Sequence, residues 1–106
     1  MVTRFEVYLI NLDERLSDDA KNTRPAVVIS PDELNRHVET VIIAPISSTN
    51  ARYPTRVPIQ FLNNERFVIL DQIRTVERAR LVKKIGDIDK GSQTAIAEKL
   101  AELFAE

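Results

Sequence analysis

One arginine stands at a position suited to holding a phosphate group. Arg24 ends a polar, charged stretch at residues 21–24, and Pro25 and a run of apolar residues typical of a buried strand follow it. We therefore expect a side chain that is anchored at one end and open to whatever binds the loop. Its planar guanidinium suits a phosphate, because it can donate two parallel hydrogen bonds. The alternative is an ordinary loop arginine that pairs with Asp18 or Asp19.

A serine cluster follows the next apolar segment. Residues 40–46 predict a strand, and Ser47 comes directly after it in the stretch Ala44-Pro45-Ile46-Ser47-Ser48-Thr49. The hydroxyl of Ser47 could bond a phosphate oxygen or a sugar hydroxyl, and Ser48 is a weaker candidate for the same role. The alternative is a serine that closes a turn or caps an element, which is the commoner role of such clusters.

A third polar group lies in the stretch Leu70-Asp71-Gln72-Ile73-Arg74-Thr75-Val76-Glu77. Gln72 and Arg74 alternate, so on a strand both side chains would point to the same face. Arg78 extends this basic patch, together with Arg80, Lys83 and Lys84. The alternative is an exposed sheet face with ordinary polar residues, which is the usual fate of a charge run.

Composition excludes several kinds of site. The chain has one histidine, His37, and no cysteine, so neither a pair of catalytic histidines nor a convincing zinc site can be assembled, and we expect no metal and no cofactor. A net charge of −1 argues against nucleic-acid binding by bulk electrostatics, so basic residues would have to be concentrated on one face. No apolar run is long enough to span a membrane.

Alternation and turn residues predict a protein made mainly of short strands. A length of 106 residues is expected to form one domain, residues 1–106. The turn residues predict loops at 13–23 and 47–55, a turn at 63–64, and a turn or single helical turn at 31–35 in which Pro31 is the first helical residue. The predicted strands are 5–12, 26–29, 40–46, 56–61, 67–70, 73–76 and 81–85, of which 67–70 and 73–76 are one bent strand or two short ones.

The C-terminal segment has a helical period. Ile96, Leu100, Leu103 and Phe104 fall on one face of a helix, with Asp89 or Ser92 as its N-cap. We expect this stripe to serve core or dimer packing. Short strands followed by one terminal helix predict a mainly β (α+β) fold, a small barrel of a strongly bent antiparallel sheet.

In their order and spacing, the three stretches around Arg24, Ser47 and Gln72 resemble the PemK/MazF family, the ribonuclease toxins of bacterial toxin–antitoxin pairs. The resemblance runs from about Arg4 to the C-terminus. It implies the SH3-like barrel that PemK/MazF toxins share with CcdB. It also implies catalytic roles for Arg24 and Ser47, the latter at the family's threonine position. We extend it to six residues near the RNA: Lys21, Thr23, Ser48, Gln72, Arg74 and Arg78.

The resemblance further implies a function. The chain would be the toxin of a type II toxin–antitoxin system, a cytoplasmic bacterial endoribonuclease that cleaves single-stranded RNA, chiefly mRNA, at specific sequences. Cleavage would be a metal-independent transesterification. The implied partners are a second copy of the chain, in a homodimer, and a MazE-like antitoxin. The flexible, acidic C-terminal segment of that antitoxin would occupy the RNA groove, and DNA binding would arise through the antitoxin complex.

The first loop departs from the family pattern. Glu14 stands where the family has proline and Ser17 where it has glycine, and Asp18 adds a further negative charge beside a groove for phosphates. An inactivated relative that is retained for partner binding is therefore one alternative. Another is a non-catalytic toxin of the CcdB type, which poisons gyrase by protein contact; that activity rests on a Trp-Gly-Ile ending, and this chain has no tryptophan.

Overall fold

A computed structural model describes residues 1–12, 23–49 and 53–105. Its elements are β1 (Glu6–Asn11), β2 (Thr23–Val28), α1 (Asp32–His37), β3 (Thr40–Ser47), β4 (Arg56–Phe61), β5 (Asn64–Ile69), β6 (Arg74–Glu77), β7 (Leu81–Asp87) and α2 (Lys90–Leu103). Short 3₁₀ turns at Leu70–Gln72 and Arg78–Arg80 precede β6 and β7. The structure confirms the predicted mainly β fold with a C-terminal helix.

The strands form one antiparallel sheet in the order β4-β5-β3-β2-β1-β7, and β6 also pairs with β3. The two ends of this order meet, because the ring of Phe61 in β4 packs directly on Gly86 in β7. A Cβ at Gly86 would lie only 2.8 Å from that ring, so the close approach requires glycine. The sheet is thus curled into a half-barrel whose two outer strands approach each other at this contact.

Alternation along the strands produces two apolar clusters, one on each face of the sheet. The first contains Val27, Ala44, Ile46 and Val68, and it is covered by Ile96 of α2. The second contains the following residues: Val2, Ile10, Ala26, Val28, Val41, Ile43 and Val76. Beyond this cluster, the same face of β2 and β3 carries Arg24 and Ser47, which belong to the site described below.

The C-terminal helix begins as the sequence predicts. The carboxylate of Asp89 accepts a hydrogen bond from the backbone N–H of Ser92 at 3.0 Å, so Asp89 is the N-cap. Ile96 is fully buried and Leu100 packs partly against the first cluster. The predicted apolar stripe is wrong at its far end, because α2 ends at Leu103 and Phe104 lies beyond it, 69% exposed.

Two boundaries differ from prediction near the candidate site. Thr23 and Arg24 belong to β2 rather than to a loop, because Asn11 and Ile10 of β1 pair with them. Pro25 is tolerated there because the pairing of β2 with β3 begins only at Ala26. At the first helix, Pro31 is the N-cap rather than the first helical residue. Residues 13–22 of the loop predicted at 13–23 lie outside the described residues.

Candidate functional site

A groove of about 750 Å³ opens over the half-barrel. Its apolar wall comes from β1, β2, β3, β4, β5 and β7: Leu9, Ile10, Leu12, Pro25, Ile43, Pro45, Ile46, Phe61, Leu62, Ile69 and Ile85. Its polar lining consists of Arg24, Ser47, Ser48, Arg66, Gln72 and Arg74. Five of these six polar residues are ones that the sequence pattern singled out, and they come from three separate stretches of the chain.

Arg24 and Ser47 lie on neighbouring strands, beyond the last pair of the β2–β3 ladder. Ala26 of β2 pairs with Pro45 of β3, and Arg24 and Ser47 each lie two residues further along their strands. Because alternate residues of a strand share a face, both side chains emerge on the face of Ala26 and Pro45. Both line the groove. The structure therefore brings together the two residues with implied catalytic roles.

The guanidinium of Arg24 is exposed. Its Nη1 donates to the backbone carbonyl of Thr23 at 3.0 Å, which orients the side chain at the start of β2. Among the described residues its other donors make no further hydrogen bond, and they suit an anionic ligand. The alternative partners Asp18 and Asp19 lie outside the described residues.

Ser47 closes a turn, which was the alternative to a role in binding a ligand, and it also lines the groove. Its Oγ accepts a hydrogen bond from the backbone N–H of Thr49 at 3.0 Å, which closes a turn after β3. A hydroxyl has one donor as well as two acceptor sites, so the O–H of Ser47 can still donate into the groove. The turn therefore fixes the position of Oγ and leaves its O–H donor available.

Gln72 and Arg74 both line the groove, but not by alternation on one strand. Gln72 lies in the 3₁₀ turn at Leu70–Gln72, and β6 begins only at Arg74. Leu70 is fully buried, and its N–H donates to the carbonyl of Thr55 at 3.0 Å, which fixes the turn against the segment before β4. The predicted shared strand is therefore wrong.

Asp71 holds this turn in place. Its carboxylate accepts a hydrogen bond from Thr55 Oγ1 at 2.9 Å and lies 3.6 Å from Nε of Arg56. Burial raises the pKa of Asp71, but these hydrogen bonds and the charge of Arg56 outweigh it, so its pKa lies below the ordinary value. Tyr53 packs against the same guanidinium, at 4.7 Å from ring centroid to Cζ.

The groove is strongly cationic although the whole chain is not. Three arginines, Arg24, Arg66 and Arg74, line it, and among the described lining residues there is no aspartate or glutamate. Positive charge is thus concentrated in the groove although the net charge of the chain is −1. Sequence reasoning missed Arg66, because the pairing of β5 with β3 that brings it here cannot be read from local pattern.

Of the other predicted RNA-contacting residues, Thr23 and Arg78 are described by the structure and do not line the groove. Lys21 lies outside the described residues, and Thr23 is buried at the start of β2. The guanidinium of Arg78 donates to the backbone carbonyls of Asn35 and of Val38, the latter at 2.6 Å, where α1 ends. Helix ends leave carbonyls unpaired, so Arg78 caps α1 instead of facing the groove. Lys84 is held by Glu6 and Asp87, at 2.8 and 3.2 Å.

No cluster of three or more metal-ligating side chains occurs within residues 1–12, 23–49 and 53–105. His37 is exposed at the end of α1 and does not line the groove. In the same part of the chain, no helix is both long and apolar enough to cross a membrane.

Solved structures share this fold. A mycobacterial endoribonuclease in complex with its cognate antitoxin is 22% identical with a TM-score of 0.82, over 96% of this chain and 93% of that one. The Mycobacterium tuberculosis toxin MazF-mt6 is 24% identical with a TM-score of 0.77, over 93% and 95%. A MazE–MazF complex from Deinococcus radiodurans is 22% identical with a TM-score of 0.76, over 99% and 95%.

The sequence itself matches a family profile over almost its whole length. Residues 3–104 match the profile of the PemK-like, MazF-like toxins of type II toxin–antitoxin systems. This match spans every strand and both helices of the fold, together with all the polar residues of the groove. The chain therefore belongs to the PemK-like, MazF-like family of toxins of type II toxin–antitoxin systems.

Proposed function

We propose that the protein is an endoribonuclease that cleaves single-stranded RNA in the arginine-lined groove. The observation that carries this proposal is that Arg24 and Ser47, from neighbouring strands, line one groove whose described lining holds three arginines and no carboxylate. Solved relatives named as endoribonucleases share the fold, which supports the same reaction class.

The reaction proposed is an internal transesterification. The ribose 2′-oxygen attacks the adjacent phosphorus, the bond to the 5′-oxygen breaks, and the proton of the 2′-hydroxyl is removed while the 5′-oxygen gains one. The products are a 2′,3′-cyclic phosphate and a 5′-hydroxyl. No external reactant is consumed, so the protein has to stabilise charge and assist proton transfer.

Arg24 takes the main role in this scheme. Its free donors can bind the non-bridging oxygens as negative charge builds on the phosphorane. A guanidinium stays protonated at neutral pH, so it cannot act as a base, and because it releases its proton reluctantly, proton donation to the 5′-oxygen is its secondary role. Arg74 lines the same groove and adds positive charge.

Ser47 is assigned to positioning the reacting group. Its turn hydrogen bond with Thr49 fixes the oxygen, and its remaining O–H can donate to a phosphate oxygen or accept from the 2′-hydroxyl after rotation. Ser48 and Gln72 offer further hydrogen-bonding groups along the groove for the RNA strand.

The proposed protein partner is an antitoxin with an acidic, flexible segment. Complexes of toxin with antitoxin are known for the mycobacterial and Deinococcus structures of this fold. A groove with three arginines suits a carboxylate-rich peptide as well as RNA, so such a segment would compete directly with the substrate. A disordered segment can cover a large surface and still be removed by proteolysis.

Cleavage of a long single-stranded RNA by the purified protein in EDTA tests the proposal. We expect fragments with 5′-hydroxyl ends and with 2′,3′-cyclic phosphate or 3′-phosphate ends. Mapping the 5′ ends would then define the sequence preference. An absence of cleavage both in EDTA and with Mg²⁺ would contradict the nuclease assignment, and cleavage that requires Mg²⁺ would contradict the metal-independent mechanism.

A further inference from the structure

A third arginine lines the groove from a strand that carries neither Arg24 nor Arg74. Arg66 lies in β5, where it pairs with Ile59 of β4. The next residue, Phe67, pairs with Ser47 of β3, so Arg66 directly precedes the pairing partner of Ser47. Because successive side chains of a strand point to opposite faces, Arg66 enters the groove from another side than Ser47 does.

The guanidinium of Arg66 has no protein partner in residues 1–12, 23–49 and 53–105. It makes no hydrogen bond or ion pair there, whereas Arg56, Arg78 and Lys84 do. The side chain is half-buried, so part of its hydration is already lost. A partly desolvated cation gains most from an anionic ligand that supplies the missing hydrogen bonds.

An apolar side chain lines the same groove as this cation. Leu62, at the tip of the β4–β5 hairpin, is 63% exposed and lines the groove together with Phe61 and Arg66. Leu62 has φ 52° and Asn63 has φ 64°, a left-handed turn that favours glycine and asparagine rather than leucine. The groove therefore contains a large exposed apolar side chain as well as the charge of Arg66.

We propose that Arg66 binds a backbone phosphate of the RNA next to the one that is cleaved, with the base of that nucleotide against Leu62. This inference rests on the proposed function, and it adds to the groove a second phosphate subsite on the β5 side. Arg24 and Arg74 lie on the strand face of Ser47, so they serve the scissile phosphate, while Arg66 serves the neighbouring nucleotide.

The combination of groups favours RNA over an acidic peptide at this subsite. A nucleotide presents a phosphate together with a base whose flat face can pack on an apolar side chain, and single-stranded nucleic acid is bound by cations that follow its backbone and by side chains against which its bases pack. Arg66 and the exposed Leu62, which line one groove, provide that pair of features. A carboxylate would use the cation and leave the leucine exposed.

The test measures binding of a fluorescent 2′-O-methyl oligonucleotide of mixed sequence, which cannot be cleaved because its 2′-oxygen carries a methyl group. Affinity is measured over a series of salt concentrations for the parent, Arg66→Gln and Arg66→Met. Each phosphate contact with a single strand contributes about 0.7 to the slope of log K against log salt. Arg66→Gln and Arg66→Met should each reduce the magnitude of this negative slope by about 0.7.

Three further variants isolate the role of Arg66. Arg66→Lys should keep the parent slope, because a lysine retains the charge. Arg36→Gln removes an arginine from exposed α1, outside the groove, and should match the parent. Arg24→Gln removes a groove arginine and should lower the slope, which shows that the probe occupies the groove. Thermal melts of all variants report whether the fold is intact.

The outcomes separate this inference from the proposed function. A parent that does not bind the probe would overturn the proposed function, and this inference with it. If Arg24→Gln reduces the salt dependence of binding while Arg66→Gln and Arg66→Met retain that of the parent, the Arg66 subsite alone is overturned. A third outcome is that the Arg66 variants bind the oligonucleotide like the parent but bind a polyglutamate peptide more weakly. That result would assign this end of the groove to an acidic peptide and overturn the RNA contact.

Discussion

At the scale of single residues, Ser47 has an observed structural role and a proposed chemical one. Its Oγ accepts a hydrogen bond from the Thr49 N–H, and Ser47 lines the same groove as Arg24. Ser47→Thr retains both the oxygen and the turn, and the added methyl restricts χ1, so this variant should keep or raise the rate of RNA cleavage.

Ser47→Ala should cleave more slowly than the parent, by less than the loss that we expect for Arg24→Ala. The substitution removes a hydroxyl from the reaction and also the acceptor for the Thr49 N–H. Cleavage rates of the parent, Ser47→Thr and Ser47→Ala, each corrected for folded fraction by circular dichroism, give the comparison. An alanine variant with the parent rate would remove Ser47 from the mechanism.

Arg78 illustrates the opposite case, a basic residue whose charge the fold uses internally. Its guanidinium donates to the carbonyls of Asn35 and Val38. Arg78→Ala leaves these carbonyls without that donor, which should lower the free energy of unfolding by about 1–2 kcal/mol in urea titrations. The salt slope of oligonucleotide binding should not change. A slope lower by about 0.7 with unchanged stability would instead assign Arg78 to RNA.

At the scale of elements, local pattern predicted the strands well and gave no information on which strands pair. The β4 segment was predicted at its observed bounds, and β3 within one residue, because both have clear apolar runs or alternation between turn residues. The 3₁₀ turn that carries Gln72 was missed because it depends on tertiary contacts. These are Leu70 in the core and Asp71 bonded to Thr55.

Local pattern likewise could not predict the groove residue whose place depends on strand pairing alone. Arg24, Ser47, Gln72 and Arg74 were found through their stretches of sequence, and the groove contains all four. Arg66 was not found, because only the β3–β5 and β4–β5 pairings bring it to the groove. The pairing of β1 with Thr23 and Arg24, which converts a predicted loop into strand, is likewise a non-local effect.

The contact between β4 and β7 gives a prediction for the closure of the half-barrel. In Gly86→Ala the new Cβ would meet the Phe61 ring at 2.8 Å, so the ring or the strand must move. We expect a loss of about 1–3 kcal/mol in the free energy of unfolding, measured in urea.

A second substitution checks the cause of that loss. Phe61→Leu in the Gly86→Ala background should remove much of the overpacking, so the two changes should be non-additive. Additive losses in the double variant would show that the strands do not meet through this ring.

At the scale of the whole molecule, the distribution of charge matters more than its sum. The chain carries 15 basic and 16 acidic side chains, yet three arginines line one groove. Such focusing attracts an anionic ligand without making the entire surface basic, and it weakens as salt screens the field. This is why the proposed RNA contacts are tested by salt dependence.

Assembly is the second question at this scale. Leu103 and Phe104 leave apolar surface exposed at the end of α2, and a two-fold dimer is the commonest assembly of soluble proteins. We predict a homodimer in solution, with a mass by light scattering of about twice the 12.1 kDa chain. A species of only 12.1 kDa at micromolar concentration would contradict this prediction.

The measurement that tests the central claim most directly is the rate of RNA cleavage in EDTA by the parent and by Arg24→Ala, with Arg36→Ala as a control outside the groove. Removing a preorganised charge partner from a transition state costs roughly 100–1,000-fold in rate. We predict that loss for Arg24→Ala with the fold intact, and the parent rate for Arg36→Ala. An Arg24→Ala protein that cleaves RNA at the parent rate would contradict the account.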